Sequence, residues 1–328
     1  MLPSSSACRL TTFFIGVSEI CFMSAPVGPC YYCCPHDDVQ DIQYKLFTRS
    51  NPTTFELISV GNRASLRRTR FNVSNPTIIY LMGFTEATTG RSTTTLRDAY
   101  LSRGEYNFVA VDWARLVAFP WYITAVRNTR YMGARLADFV QFLERAEVRA
   151  SSLHVIGFSL GAEAAGFGGK ELRRRGLLLG RITGLDPAYP GYGLTNSDGH
   201  LVKGDAAFVD VLHTNPGVFG FPRPIGDVDF YPNPGSWVQP GCWVDQLVRN
   251  RELGFMYGCS HNRAWRLYAE SVLNPGGFPA TLCRQWRGSP RLCSFRVDGY
   301  MGFGARPPLS GKMYLETNES PPFARNGP

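Results

Sequence analysis

Lysine is nearly missing from this 328-residue chain: it occurs only at positions 45, 170, 203 and 312, although lysine and arginine together number 34 and the formal net charge is +8. The positive charge is therefore arginine, scattered except in the short clusters RASLRRTR and ELRRRG. No run interleaves basic residues with aromatics, which argues against a nucleic-acid groove and leaves a basic solvated surface with a weak attraction to anionic lipid. No stretch approaches 18 uninterrupted apolar residues, so no membrane span is predicted. No segment repeats. Charged residues make up only 18% of the chain and apolar residues 44%, which suits a sizeable core and not a disordered composition. The length fits one large domain or two small ones.

What is present begins with an export signature. The segment MLPSSSACRLTTFFIGVSEICFMSAP has an early arginine, an apolar middle interrupted by Ser18 and Glu19, and a small-residue end followed by Pro26. It resembles a secretory signal. Residues 1–38 are thus predicted to be a leader that ends in the Cys-rich CYYCCPH, and residues 39–328 a single domain. The nine cysteines fall at 8, 21, 30, 33 and 34 and again at 242, 259, 283 and 293. Pairing of neighbours in the second group gives Cys242–Cys259 and Cys283–Cys293, and implies an oxidising, extracellular compartment. For Cys30, Cys33 and Cys34, disulfides are favoured over a metal cluster in such a chain. Asn72-Val-Ser and Asn318-Glu-Ser are glycosylation acceptors by pattern.

After residue 40, apolar runs of strand length alternate with helical patterns. TIIYLMGF (77–84), NFVAVDW (107–113), LHVIGFS (153–159), RITGLDP (181–187) and AFVDVLHT (207–214) read as strands. Val126, Met132, Leu136, Phe139, Val140 and Leu143 share one face of a helix. Near-continuous apolar strands alternating with helices predict an α/β fold: a mostly parallel sheet covered by helices on both faces, with its active site at the carboxyl ends of the strands.

One such end carries Gly157-Phe-Ser159-Leu-Gly161, a serine between two glycines, after a strand and before an Ala-rich helix. The triplet alone is weak, but strand, sharp turn and helix are what a nucleophile elbow needs. A serine hydroxyl needs a base, and the base needs an orienting acid, in the chain order Ser, acid, His for this arrangement. Three histidines follow Ser159. His213 ends an apolar strand and reads as structural, His200 lies in a polar loop, and His261 lies in CSHNRA, a loop before a helix beside a cysteine that would fix it; His261 is the favoured base. Asp186 ends a strand before Pro187 and is the favoured acid, with Asp205 and Asp210 as runners-up, while Asp227 and Asp229 sit in a Pro- and Gly-rich loop and read as turn formers. One oxyanion donor should be the amide of Leu160, and Gly83 followed by Phe84 fits the other.

The motifs IIYLMGF, VAVDW, VIGFSLGA, TGLDPAYP, FVDVLHTN, PIGDVDFYPNPG, QPGC and CSHNRA together resemble the pancreatic-lipase-like family of secreted lipases and phospholipases A1, from about residue 40 to 325. The resemblance implies an α/β-hydrolase fold, Ser159 as nucleophile, Asp186 as acid, His261 as base, and the Phe84 and Leu160 amides as oxyanion donors. It implies no metal and no cofactor, a lipid substrate met at a membrane or aggregate surface, and a lid framed by Cys242 and Cys259. Within that lid Trp243, Leu247, Val248, Leu253, Phe255 and Met256 alternate with charged residues, as a cover over an apolar pocket would. The chain departs from the family at Met82 and Glu163, where histidine is usual, at Phe158, and in ending near 328 without the lipid-binding β-sandwich of the vertebrate members. The implied activity is triacylglycerol lipase or phospholipase A1. The alternative is an inactive relative that binds lipid or serves as a yolk-type nutrient protein, although such members lose the serine that is kept here.

Overall fold

A computed structural model describes residues 3–15, 18–28, 30–244, 248, 258–283, 293, 294 and 296–325. The lid candidates Leu247, Leu253, Phe255 and Met256 lie outside the described residues. In chain order the strands are β1 Thr11–Ile15, β2 Ser18–Phe22, β3 Gln43–Phe47, β4 Glu56–Ile58, β5 Thr77–Leu81, β6 Asn107–Asp112, β7 His154–Phe158, β8 Arg181–Leu185, β9 Phe208–Leu212, β10 Val228–Pro232, β11 Pro279–Leu282, β12 Gly299–Tyr300 and β13 Gly311–Leu315. The helices are α1 Asp38–Asp41, α2 Arg63–Arg67, α3 Arg91–Arg103, α4 Tyr122–Arg145, α5 Leu160–Arg174 and α6 Cys259–Leu273.

Among the described residues the central sheet has eleven strands in the order β12-β11-β13-β10-β9-β8-β7-β5-β6-β3-β4. The core from β6 through β5, β7, β8, β9 and β10 to β13 is parallel, and antiparallel strands occur only at its two edges. The parallel strands are the apolar runs of the sequence. β5, β9 and β10 are buried at every position, as strands covered on both faces must be.

Right-handed crossovers place the helices. From β5 the chain passes through α3 to β6 on one side, then returns through α4 to β7 on the other side of β5 and continues through α5 to β8. This reversal puts α3 on one face of the sheet and α4 and α5 on the opposite face. α6 joins α3, with the Tyr100 and Tyr268 hydroxyls 2.8 Å apart. α4 and α5 meet closely: a Cβ added to Gly133 would stand 2.5 Å from the Phe167 Cβ. On α4, Met132, Leu136, Phe139, Val140 and Leu143 are completely buried. This topology and the tight strand-to-helix turn at Ser159 described below are those of an α/β hydrolase. The reversal also makes a crevice between the carboxyl ends of β5 and β7, where such folds place their sites.

The segment expected to be a leader is ordered against this sheet. β1 and β2 form a hairpin, Cys8 is bonded to Cys34 and Cys30 to Cys33. The Cys21 amide donates to Thr85 O at 2.8 Å, and the Phe119 amide donates to Cys21 O at 2.8 Å. Cys21 is fully buried with a free thiol, and burial pushes that thiol up to about 12. The later cysteines are joined as Cys242–Cys259 and Cys283–Cys293.

Candidate active site

Register sets the site. Leu81 pairs with Gly157, Phe158 with Leu185, and Leu185 with Leu212. The residues that follow these strand ends, Met82, Ser159, Asp186 and His213, therefore emerge side by side on the carboxyl edge.

Ser159 occupies the turn between β7 and α5 with φ 55° and ψ −120°. A non-glycine residue there is strained, and surrounding bonds must hold it. The Ser159 amide donates to Leu185 O at 3.0 Å, and its carbonyl accepts from Ala162 N at 3.0 Å. The turn is so tight that a Cβ on Gly157 would lie 2.4 Å from Gly161 O, and one on Gly161 would lie 2.1 Å from Leu81 O. Both glycines are thus needed for space, not for a left-handed φ. A Cβ on Gly83 would come within 3.1 Å of the Ser159 Cβ, so the loop after β5 runs directly past the serine.

Asp186 follows β8, also at positive φ (44°), and is completely buried. Its Oδ1 accepts from the amides of Thr214 (2.8 Å) and Asn215 (3.0 Å), and its Oδ2 lies 2.5 Å from His261 Nδ1. Three donors around one buried carboxylate satisfy it as an anion. An ionised carboxylate only accepts, so Nδ1 carries the proton and Nε2 keeps its lone pair, as a base requires. Gly220 makes room for this carboxylate: its Cβ would stand 2.2 Å from Asp186 Oδ1.

The sequence placed His261 in a loop before a helix, but the structure places it in the first turn of α6. Gly258, at φ 79°, takes the left-handed cap position and lets the helix begin at Cys259. The Cys242–Cys259 bond and the contact of Thr214 Oγ1 with His261 O (3.5 Å) hold that turn. The Phe158 and Phe219 rings flank the imidazole at centroid distances of 4.6 and 5.5 Å.

The competing candidates are engaged elsewhere. Asp205 pairs with Lys170, and Asp210 is held bidentately by Arg181 at 2.7 and 2.9 Å. His213 bonds Phe221 O and Asp229 Oδ1, each at 2.8 Å, and the His200 Nδ1 lies 2.7 Å from Leu201 O. Asp229 is therefore a buried strand residue and not the turn former read from the sequence. It also accepts from the Ile225 and Gly226 amides.

Most backbone donors of the loop after β5 are already engaged. The Gly83 amide goes to Glu86 Oε2 (2.8 Å), the Thr85 amide to Val117 O (2.7 Å), and the Glu86 amide to Gly83 O (3.4 Å). Among the described residues nothing accepts from the Phe84 amide. Leu160, the first residue of α5, carries one of the N–H groups that every helix start leaves without an intrahelical partner. These two amides flank Ser159 and could receive an oxyanion.

The departures at Met82, Phe158 and Glu163 are interior ones. Met82 and Glu163 have no exposed surface. Glu163 Oε2 accepts from the Leu201 amide at 2.7 Å, and burial pushes its carboxyl well above the usual carboxylate range against the pull of that amide and Lys170. Apolar side chains stand open on both flanks of the site. Ile123 is exposed beside Tyr122, whose ring meets Phe84 at 5.0 Å. Phe219 and Trp237 are exposed on the histidine side, where Trp237 O accepts from Asn215 Nδ2.

Residues 34–323 match the lipase family. Human pancreatic lipase-related protein 3 is 33% identical over 309 residues, which is 86% of this chain and 64% of that protein. Human pancreatic triacylglycerol lipase is 31% identical over 86% of this chain and 65% of its own length. The inactive pancreatic lipase-related protein 1 of Mus musculus is 31% identical over 86% and 64%. The chain thus spans just under two thirds of the length of these relatives.

Proposed function

The chain belongs to the lipase family, and from that premise we propose that it is an exported carboxylic ester hydrolase that cleaves acyl esters of lipids, triacylglycerol or the sn-1 ester of a phospholipid. The observation that carries this reading is the Asp186–His261 contact of 2.5 Å beside a serine strained into the elbow. Ser159 Oγ attacks the acyl carbonyl while His261 Nε2 takes its proton, and Asp186 stabilises the imidazolium. The carbonyl oxygen becomes an oxyanion bonded to the Phe84 and Leu160 amides. Collapse expels the alcohol, protonated by His261, and leaves an acyl-enzyme. A water activated by His261 then releases the fatty acid. No step calls on a metal or a cofactor.

Support for a lipid substrate comes from the apolar flanks at Ile123, Phe219 and Trp237 and from the family. The segment between Cys242 and Cys259 is proposed as a lid, which the bond anchors at both ends. Closing a loop of this size contributes about 3 kcal/mol in the chain-entropy model. Four disulfides support an oxidising compartment. A leader ending near Ala25 would take Cys8 with it and leave three of these bonds, and N-terminal sequencing of the exported chain locates the cleavage.

The decisive experiment profiles hydrolysis across triacylglycerols, phospholipids and a soluble short-chain ester. It includes Leu247→Asp with Phe255→Asp, which should depress hydrolysis of aggregated lipid more than of the soluble ester. Equal losses would make the segment structural and not a lid. Absence of hydrolysis on every substrate, with lipid still bound, would favour the inactive, lipid-binding alternative.

A further inference from the structure

The loop that supplies the Phe84 amide contains a charged residue that the mechanism above does not use. Glu86 follows Phe84 by two positions, and its carboxylate is turned back under the loop. Oε2 accepts the Gly83 N–H at 2.8 Å, and the Glu86 amide returns to Gly83 O at 3.4 Å. Residues 83–86 are thereby closed into a turn from both the side chain and the backbone. Thr85 sits at φ 68°, a conformation a β-branched residue adopts only when held there. The hold comes from Val117 O on the Thr85 amide at 2.7 Å and, in the uncleaved chain, from the Cys21 amide on Thr85 O at 2.8 Å.

In a turn pinned at Gly83, Thr85 and Glu86, the peptide between Gly83 and Phe84 has little freedom to rotate. Among the described residues its N–H is left without an acceptor. Glu86 removes the Gly83 donor from competition and fixes the plane of the next one. The Glu86 carbonyl in turn accepts from the Cys21 thiol on β2 at 3.5 Å. Burial raises the Glu86 carboxyl above the usual carboxylate range, while the Gly83 N–H pulls it back.

We propose that Glu86 is a positioning residue for ester hydrolysis: its carboxyl group sets the Gly83 peptide so that the Phe84 amide faces the oxyanion. This rests on the hydrolase reading of the same site. Two variants test it. Glu86→Gln keeps an oxygen acceptor for the Gly83 N–H. Glu86→Ala removes it.

On a soluble short-chain ester, Glu86→Ala should lower kcat by about 10²-fold with KM within about threefold, because a donor displaced by about an ångström loses most of its transition-state contact. Glu86→Gln should recover kcat to within about tenfold of the unsubstituted enzyme. A residue that merely stabilises the fold would lower the melting temperature and leave kcat of the folded fraction in place. No rescue of kcat by Glu86→Gln relative to a folded Glu86→Ala, or wild-type kcat in Glu86→Ala, overturns the proposal. If Glu86→Ala does not fold, Glu86→Asp, one methylene shorter toward the Gly83 N–H, decides: its kcat should fall below that of Glu86→Gln, and a kcat equal to that of the unsubstituted enzyme overturns the proposal. An unsubstituted enzyme that hydrolyses no ester defeats the hydrolase reading itself, whereas an active enzyme with indifferent variants defeats only the role of Glu86.

Discussion

Gly220→Ala adds one methyl group 2.2 Å from Asp186 Oδ1, 2.5 Å from Cγ and 2.7 Å from Oδ2. Ordinary contact begins at 3.4 Å, so about 1.2 Å of movement is needed along the closest approach. Gly220 is not among the glycines at positive φ, so backbone strain contributes little and space decides the outcome. Its amide is tied to Asn215 O at 3.0 Å, and Phe221 beside it is completely buried and bonded to Pro187 O. The loop therefore resists retreat from both ends, and the carboxylate must give way. A carboxylate displaced by about an ångström cannot hold the 2.5 Å contact to His261 together with the Thr214 and Asn215 amides. Turnover should fall by between about 10²-fold, typical of a misplaced catalytic group, and about 10⁴-fold, typical of a lost orienting acid. Overpacking should cost about 1–3 kcal/mol of stability. The assay is kcat on a soluble short-chain ester alongside a thermal melt, so that loss of folded protein is separated from loss of chemistry. A folded Gly220→Ala enzyme with kcat within about threefold of the unsubstituted enzyme would refute the reasoning.

Asp186→Asn should cost about 10⁴-fold in turnover by holding the wrong histidine tautomer. Asp210→Asn should disturb the Arg181 pair and lower stability while sparing the chemistry of the remaining folded enzyme; kinetics of the two variants at matched folded fraction check this, and the reverse pattern would reassign the acid. Glu163→Gln should stabilise the fold, and increasingly so as pH rises from about 5 to 8. The folded-state carboxyl is raised above 4.5, so its contribution is fully present below that value and is lost as pH climbs through the folded value, a loss the amide does not suffer. Melting temperatures across that range test it, and a difference that shrinks with pH would contradict the burial argument.

The parallel core was legible because its strands are nearly continuous apolar runs, and TIIYL, HVIGF, RITGL and FVDVL end where the register aligns them. The elbow was legible from Gly157 and Gly161, whose small size has a steric reason in the tight turn. The groups that surround Asp186 were not legible. Thr214, Asn215 and Gly220 lie 28 or more residues along the chain and act through backbone amides and empty space, neither of which leaves a side-chain signature. Glu86 escaped for a related reason: its partner is the Gly83 amide, and in sequence it is one more polar residue in the loop TEATTG. The hairpin of β1 and β2 was hidden by composition, because the same apolar residues read as an export signal. His261 was misplaced by a turn because Gly258, the residue that starts its helix, lies beyond the cysteine used to anchor the reading.

The central claim is that Ser159 is the nucleophile. Treatment with a fluorophosphonate, followed by peptide mass spectrometry, should find a single adduct on the peptide containing Ser159. Ser159→Ala should abolish it together with hydrolysis, lowering turnover by at least about 10⁴-fold. An adduct on another residue, or hydrolysis that persists in the alanine variant, would contradict the account.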